Sequence, residues 1–219
     1  MTLQAIVLPA AAGHPQGLFV ALHGWGANPQ DLVGLAALLN LPNFSLIFPE
    51  APFAHPYTTT GRMWYGLPSS YSFFSSPEFQ QQPDLQHSRQ QLREFLLSLE
   101  GLTGVPLDRT VLAGFSQGGA MTLDVGSQLP LAALLVLSGY MHTSIESVHP
   151  AIDKILIVHG RQDQVVSLRA AQATRDRLLA LSAPVEYQEF DMGHEIRPIV
   201  LQIVQNFIEK STYPTRDRA

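Results

Sequence analysis

The residues best suited to covalent chemistry lie in the segment Gly114-Phe115-Ser116-Gln117-Gly118. A serine with a glycine two residues away on each side is typical of a nucleophile on a sharp strand-to-helix turn. The glycines avoid a collision across the turn, and the serine hydroxyl projects into open space. The apolar run Thr110–Ala113 precedes the segment and a helical pattern follows it, as this motif requires. We therefore predict that Ser116 is a nucleophile; an ordinary glycine-rich turn is the alternative.

A serine hydroxyl needs a general base, and the base needs an acceptor that fixes its tautomer. Asp163 and His194 follow two apolar runs, Ile155–Val158 and Val185–Phe190, and complete the chain order Ser, Asp, His. Groups at the carboxyl ends of parallel strands gather at one edge of a sheet. The sequence therefore predicts a catalytic triad of Ser116, Asp163 and His194.

Each partner of the serine has a competing interpretation. Asp163 could instead cap the next helix, His194 could simply occupy a Met-Gly-His turn, and Asp191 is an alternative acid. His23 and His159 also end predicted strands, and we interpret them as packed structural histidines. A zinc site is a further alternative, but the sequence has no cysteine and no His-x-x-x-His pair, so no metal is predicted.

Acyl transfer also needs N–H donors for the negative charge that develops on the carbonyl oxygen. The residue after the nucleophile usually supplies one donor, which makes the Gln117 N–H the first candidate. The second is assigned to the Trp25 N–H, in the loop Leu22–Ala27, where glycines allow backbone donors to face inward. An ordinary glycine turn is the alternative for this loop.

Apolar residues on segments near the predicted site could line a groove for the substrate. Besides Trp25, the candidates are Trp64, Phe73, Phe74 and Val165. Trp64 is equally compatible with a place in the core. Few charges accompany these residues, so the pattern does not suggest a highly polar substrate.

The elements that must position these residues alternate along the sequence. Strand candidates rich in Val, Ile, Leu or Phe are Leu3–Leu8, Leu18–Leu22, Ser45–Phe48, Thr110–Ala113, Ala133–Leu137, Ile155–Val158 and Val185–Phe190. Helical patterns start at Asn28-Pro29, cover Asp84–Glu100 with a stop at Gly101, follow Ser116, and cover about 167–181 and 198–210. This alternation predicts a mainly parallel α/β sheet with helices on both faces.

The length of 219 residues favours a single domain. We predict one domain over residues 1–210 and a flexible tail over 211–219. Residues 51–83 are rich in proline, serine and aromatic side chains and do not fit the alternation. We predict that they form a long irregular wall or flap beside the site, with a disordered surface loop as the alternative.

Composition limits the classes of function and location. The net charge is −5 and no basic stripe is present, so nucleic acid is not an expected partner. The segment Met1–Gly13 has no positive charge before its apolar part, and the apolar run Leu129–Leu137 is too short to span a bilayer. We therefore predict a cytoplasmic protein with no secretory signal and no transmembrane segment. The sequence does not determine the oligomeric state.

Several motifs together resemble the phospholipase/carboxylesterase family, which includes bacterial carboxylesterases and acyl-protein thioesterases. The resemblance extends from about residue 18 to residue 210, and its most specific motif is Gly114-Phe115-Ser116-Gln117-Gly118-Gly119. The others are His23-Gly24-Trp25-Gly26, Ala51-Pro52, Leu137-Ser138-Gly139, His159-Gly160 with Asp163, and Gly193-His194-Glu195.

This resemblance implies an α/β-hydrolase fold, a Ser-Asp-His triad and no cofactor. It implies a serine carboxylesterase or thioesterase acting on carboxylic esters, lysophospholipids or acyl thioesters, with acylated proteins among the candidate partners. The sequence departs from the family at Trp25, where members often carry leucine, and over Tyr57–Pro83, where the likeness is loose. A non-catalytic ligand-binding protein, and a lactonase or peptidase with the same triad, are alternatives on this scaffold.

Overall fold

A seven-stranded sheet forms the centre of the protein. The computed structural model describes residues 3–68, 71–74 and 77–212. The strands are β1 (Ala5–Leu8), β2 (Gly17–Leu22), β3 (Phe44–Pro49), β4 (Phe53–Ala54), β5 (Arg62–Met63), β6 (Thr110–Phe115), β7 (Ala133–Leu137), β8 (Lys154–Gly160) and β9 (Val185–Phe190). The central sheet has the order β1-β3-β2-β6-β7-β8-β9, while β4 and β5 pair separately. Within the seven-stranded sheet only β1 runs antiparallel to its neighbour, which confirms the predicted, mainly parallel sheet.

Helices cover both faces of the sheet. They are α1 (Pro29–Ala36), α2 (Pro77–Gln80), α3 (Pro83–Thr103), α4 (Gln117–Gly126), α5 (Leu168–Ala180) and α6 (Pro198–Thr212), with a short 3₁₀ turn at Leu107–Arg109. Side chains of α3, α4 and α5 join the apolar core on one face, and those of α1 and α6 join the core on the other. The predicted α/β layering is therefore confirmed.

Helix ends follow local chemistry, although one predicted end is wrong. The side chain of Asn28 accepts the backbone N–H groups of Gln30 and Asp31, so α1 starts where the sequence predicts. Helix α3 does not stop at Gly101. It continues to Thr103 and ends at Gly104, whose φ of 73° terminates the helix in the left-handed region. A glycine inside a helix costs only about 1 kcal/mol, which the long buried face of α3 can offset.

The described part of residues 51–83 is more ordered than the sequence predicts. The strands β4 and β5 form a small hairpin, and the side chain of Arg62 donates hydrogen bonds to the carbonyls of Ala51 and Pro52. Trp64 and Tyr65 then enter the core with no exposed surface. Main-chain hydrogen bonds of Arg62 with Gly26 and Ala27 tie this segment to the loop after β2. Its role as a wall beside the site stays a prediction.

The C-terminal helix extends slightly beyond the predicted domain end. Helix α6 ends at Thr212, so residues 211 and 212 of the predicted tail are helical. The rest of that tail, residues 213–219, lies outside the described residues. Across the described ranges, no helix is long and apolar enough to cross a membrane.

Candidate active site

The turn between β6 and α4 holds Ser116 in a strained backbone conformation. Its φ of 55° and ψ of −116° lie outside the regions that non-glycine residues usually occupy. A Cβ on Gly114 would lie 2.2 Å from the carbonyl oxygen of Gly118, and a Cβ on Gly118 would lie 2.2 Å from that of Leu22. Both glycines are therefore required by close backbone packing, and they hold the serine at the carboxyl end of the sheet.

We expect Gly118→Ala to destabilise the protein by about 1–3 kcal/mol, the usual cost of overpacking, and to abolish most activity. The added methyl group would push against the carbonyls of Leu22 and His23, which are backbone atoms of the neighbouring loop. Gly101→Ala is the matched control, because a Cβ there meets open space inside a helix. That variant is expected to gain about 0.5–1 kcal/mol. Denaturant unfolding and ester hydrolysis measure both; wild-type behaviour of Gly118→Ala would contradict this packing argument.

Asp163 and His194 lie on neighbouring loops, after β8 and β9. The Nδ1 atom of His194 is 2.7 Å from Oδ2 of Asp163. The other oxygen, Oδ1, accepts the N–H groups of Val165 and Val166, both at 2.9 Å. One carboxylate oxygen therefore orders the loop that precedes α5, while the other faces the imidazole.

Asp163 is held in its ionised form. Burial by itself raises the pKa of this carboxyl, but the hydrogen bonds from His194, Val166 and Val165 outweigh burial and lower the pKa below its usual value. An ionised acceptor requires a proton on His194 Nδ1, which leaves Nε2 free to act as a base when the ring is neutral.

Asp191, the alternative acid, does not contact the imidazole in this structure. Its Oδ1 accepts a hydrogen bond from Nη1 of Arg161 at 2.8 Å. The side chain of Asp191 is 75% exposed, so the two residues form a surface ion pair. The geometry thus favours Asp163 over Asp191 as the partner of His194.

The imidazole of His194 lies beside the turn that carries the serine. Its ring centre is 4.8 Å from that of Phe115, the residue before Ser116. The predicted acid, base and nucleophile are therefore gathered at one edge of the sheet, on the loops after β6, β8 and β9.

The two other strand-end histidines are buried and engaged with backbone. His23 accepts the Ala51 N–H at Nε2 and donates from Nδ1 to the Gly24 carbonyl. Burial lowers the pKa of His23 to about 4, so the ring is neutral at physiological pH. His159 donates from Nε2 to the Val166 carbonyl, and burial also lowers its pKa. Both fit the interpretation of packed structural histidines.

The loop between β2 and α1 approaches the serine closely. A Cβ on Gly24 would lie 3.4 Å from the Cβ of Ser116. Gly26 has a φ of 78° and donates its N–H to the carbonyl of Arg62. The Trp25 N–H lies between these two glycines, and the Gln117 N–H lies in the first turn of α4, where such groups have no partner inside the helix.

Arg62 is a site-supporting residue that the sequence does not reveal. Its main chain pairs with the loop that carries Trp25, through Gly26 and Ala27, and its side chain binds the carbonyls of Ala51 and Pro52. An arginine within a segment rich in polar residues resembles a solvated surface residue. The local sequence signal for this role is weak: Arg62 follows Gly61 and stands shortly before the aromatic pair Trp64-Tyr65.

The predicted pocket residues differ in how accessible they are. Val165 is 52% exposed, Phe74 is 38% exposed and Trp25 is 37% exposed, so each offers apolar surface. Phe73 is half-buried, with its ring packed against Tyr140 at 5.0 Å. Trp64 offers no exposed surface and donates its Nε1–H to the carbonyl of His23. That burial fits the core interpretation of Trp64.

Residues 3–212 match the sequence profile of the Phospholipase/Carboxylesterase family. The chain belongs to this family. It is therefore a hydrolase, in agreement with the expectation from its motifs. The match spans every residue that the structure describes, so the family assignment concerns the whole described domain.

Known relatives agree with the family and the fold. Acyl-protein thioesterase 1 of Neurospora crassa is 28% identical over 236 residues, covering 98% of this chain and 94% of the relative. Acyl-protein thioesterase 1 of Yarrowia lipolytica is 31% identical, covering 80% of this chain and 81% of the relative. The crystal structure of esterase PE8 superimposes with a TM-score of 0.85 at 26% identity, covering 96% of this chain and 100% of that one. The fold is thus that of esterases in the phospholipase/carboxylesterase family.

Among the described residues, no group of three or more His, Cys, Asp or Glu side chains could hold a metal ion.

Proposed function

We propose that the protein hydrolyses acyl esters or acyl thioesters through an acyl-enzyme formed on Ser116. The observation that carries the proposal is the hydrogen bond between His194 and Asp163 beside a strained nucleophile turn. Family membership supports the same chemistry. A binding protein without catalysis would not need a base, an orienting acid and a strained serine together.

The first half of the proposed reaction acylates the serine. His194 Nε2 takes the proton from Ser116 Oγ as this oxygen attacks the carbonyl carbon of the substrate. The developing oxyanion accepts hydrogen bonds from the N–H groups of Gln117 and Trp25. His194 then returns the proton to the leaving alcohol or thiol, and the acyl group stays on Ser116. Asp163 keeps its negative charge throughout and stabilises the imidazolium.

The second half releases the acid by the same steps with water as the nucleophile. His194 takes a proton from the water, the hydroxide attacks the acyl carbon, and the second tetrahedral intermediate collapses. The proton returns to Ser116 Oγ, and the carboxylic acid leaves. The reaction balances with one water consumed for each ester or thioester bond cleaved.

We propose carboxylic esters, lysophospholipids and acyl thioesters, including acylated proteins, as the substrate classes. The relatives from Neurospora crassa and Yarrowia lipolytica bear the name acyl-protein thioesterase, and the PE8 structure bears the name esterase. A panel of acyl esters, thioesters, lysophospholipids, lactones and amides with matched acyl chains tests this. Turnover of amides or lactones above that of every ester and thioester would favour the peptidase or lactonase alternative.

The exposed aromatic surface near the site is expected to set the preference for acyl length. A third phenylalanine of the same segment, Phe79, offers no surface to a substrate, because its ring is buried against Tyr65 and Tyr71. Phe74 and Phe73 remain, and each methylene of substrate that they cover contributes about 0.8 kcal/mol. Loss of contact with two methylenes would thus lower kcat/KM about tenfold.

We therefore expect Phe74→Ala, and more strongly Phe73→Ala with Phe74→Ala, to lower kcat/KM for octanoyl and palmitoyl esters about tenfold, with little change for acetyl esters. Leu102→Ala is the control, because Leu102 is an exposed apolar residue near the end of α3. An equal loss for all three chain lengths would assign these rings to the support of the fold. No loss at all would remove them from the pocket.

A further inference from the structure

A buried hydrogen-bond network lies outside the proposed triad and ends close to it. It consists of Tyr140, Tyr65, His142 and Asp124. The hydroxyls of Tyr140 and Tyr65 are 2.9 Å apart, and Tyr65 is also 2.9 Å from His142 Nδ1. His142 Nε2 is 2.9 Å from Oδ2 of Asp124. Both tyrosines and the histidine are almost completely buried, so this arrangement is part of the interior.

The hydrogen bonds of the buried network can all be donated in one direction, from Tyr140 towards Asp124. Burial by itself raises the pKa of Asp124, but its contacts with His142 and Arg89 lower the pKa to about 2, so the carboxylate accepts. The imidazole therefore donates from Nε2, and in the neutral tautomer with its proton on Nε2 the Nδ1 lone pair accepts from Tyr65. Burial raises the pKa of Tyr65 and Tyr140 above the usual value, so both keep their O–H groups. Tyr140 then donates to Tyr65, and every polar atom of this series is satisfied.

The far end of the buried network is anchored to two helices. Asp124 lies on α4, and Arg89 on α3 forms an ion pair with its carboxylate. Arg89 and Asp124 also each contact the hydroxyl of Thr143, at 3.0 and 3.3 Å. The Tyr65 hydroxyl is therefore linked, through His142 and Asp124, to the helices α3 and α4.

The near end of the buried network reaches Gln117. The side-chain amide of Gln117 is held at both ends by the main chain: its Oε1 accepts the Trp64 N–H at 2.9 Å, and its Nε2 donates to the Tyr65 carbonyl at 2.8 Å. The Trp64 carbonyl in turn accepts a hydrogen bond from Ser88 on α3. The place of the Trp64–Tyr65 main chain thus determines the place of the Gln117 side chain.

We propose that Tyr65, His142 and Asp124 are positioning residues for the oxyanion donor at Gln117. Gln117 follows the proposed nucleophile directly, and its backbone N–H can stabilise an oxyanion only if it points at the reacting carbonyl. Hydrogen bonds to its hydroxyl hold the Tyr65 ring in place. The hydrogen bonds of the Trp64 N–H and the Tyr65 carbonyl with the Gln117 side chain then position the first turn of α4. This inference rests on the proposed role of the Gln117 N–H.

The proposal predicts an effect on turnover and not on ground-state binding. An oxyanion donor contributes mainly in the transition state, and its complete removal costs about a hundredfold to a thousandfold in kcat. Displacement is milder than removal. We expect Tyr65→Phe and Asp124→Asn each to lower kcat about tenfold to a hundredfold, with KM changed less than about twofold. Because both act through one network, the double variant should lose about as much as the more severe single variant.

A purely structural role would give a different pattern. Thr174→Val is the matched control, because Thr174 is buried on α5 and its hydroxyl donates to the Ala170 carbonyl of the same helix. It should lower the unfolding temperature as Tyr65→Phe does and keep the wild-type kcat. If kcat of Tyr65→Phe matches that of Thr174→Val, or if the losses of Tyr65→Phe and Asp124→Asn simply add, the proposal is overturned.

Hydrogen–deuterium exchange tests the same coupling without any substrate. In Tyr65→Phe and in Asp124→Asn, exchange is expected to rise in the peptide covering residues 62–66 and at the start of α4, and to stay at the wild-type level around His194. Exchange that changes only next to the mutated side chain would contradict the coupling to Gln117. Wild-type protein that hydrolyses no acyl ester would contradict the proposed function instead, and the exchange result would still decide the coupling.

Discussion

Replacing Ser116 by alanine is expected to lower kcat for ester hydrolysis about a millionfold, the loss found when a nucleophile of a Ser-His-Asp triad is removed. In the proposed mechanism the strained turn presents the Ser116 hydroxyl to His194, whose ring packs against Phe115, and alanine keeps the turn but removes the oxygen. The fold should stay intact, because alanine keeps the Cβ atom and the main-chain pairing of β6 with β2 and β7 does not involve the serine hydroxyl.

Ser182→Ala is the matched control for the nucleophile. Ser182 also has a positive φ, 57°, but it follows α5 at the opposite edge of the sheet. It should retain the wild-type rate with an unchanged circular dichroism spectrum. A Ser116→Ala preparation free of wild-type enzyme that keeps substantial activity would refute the assignment of the nucleophile.

Asp163→Asn is expected to lower kcat by roughly four orders of magnitude. An amide that donates a hydrogen bond to Nδ1 would hold the imidazole in the tautomer that cannot accept the serine proton at Nε2. Asp191→Asn is the natural comparison, because its carboxylate pairs with Arg161 at the surface. We expect that variant to lose at most about fivefold, since an exposed ion pair contributes about 0–1 kcal/mol and 1 kcal/mol corresponds to about fivefold.

The two aspartate variants are best compared as purified proteins with equal unfolding temperatures, over a range of pH. The loss in Asp163→Asn should persist at every pH at which the wild type is active, because the tautomer and not the charge of the base is changed. A larger loss in Asp191→Asn than in Asp163→Asn would reverse the pairing of acid and base.

Much of the fold follows from local sequence pattern. The apolar runs before Asp163 and His194 are strands buried in a parallel sheet, and neighbouring parallel strands end at the same edge. That rule predicted the same edge of the sheet for both residues, and the structure places them on adjacent loops and joins them by a hydrogen bond. The glycines around Ser116 were equally informative, because each fills a position where a Cβ would collide with backbone.

The supporting contacts could not be read from local pattern. Gln117 binds a main-chain segment more than fifty positions earlier, and Tyr65 meets His142 across 77 positions. Such pairs depend on how loops meet after the sheet has formed. Burial of Trp64 likewise depends on the tertiary contact with His23, so the sequence left its role open. A cytoplasmic location and the absence of a nucleic-acid partner stay predictions from composition.

Labelling with a fluorophosphonate is the most direct test of the proposed covalent intermediate on Ser116. Attack by Ser116 Oγ forms an O–P bond, fluoride leaves, and the serine proton passes to His194. We predict one phosphonyl group per chain, located by peptide fragmentation at Ser116, with activity lost in proportion to labelling. Prior reaction with an acyl ester should slow the labelling. An adduct on a different residue, or full ester hydrolysis by protein labelled stoichiometrically at Ser116, would contradict the claim.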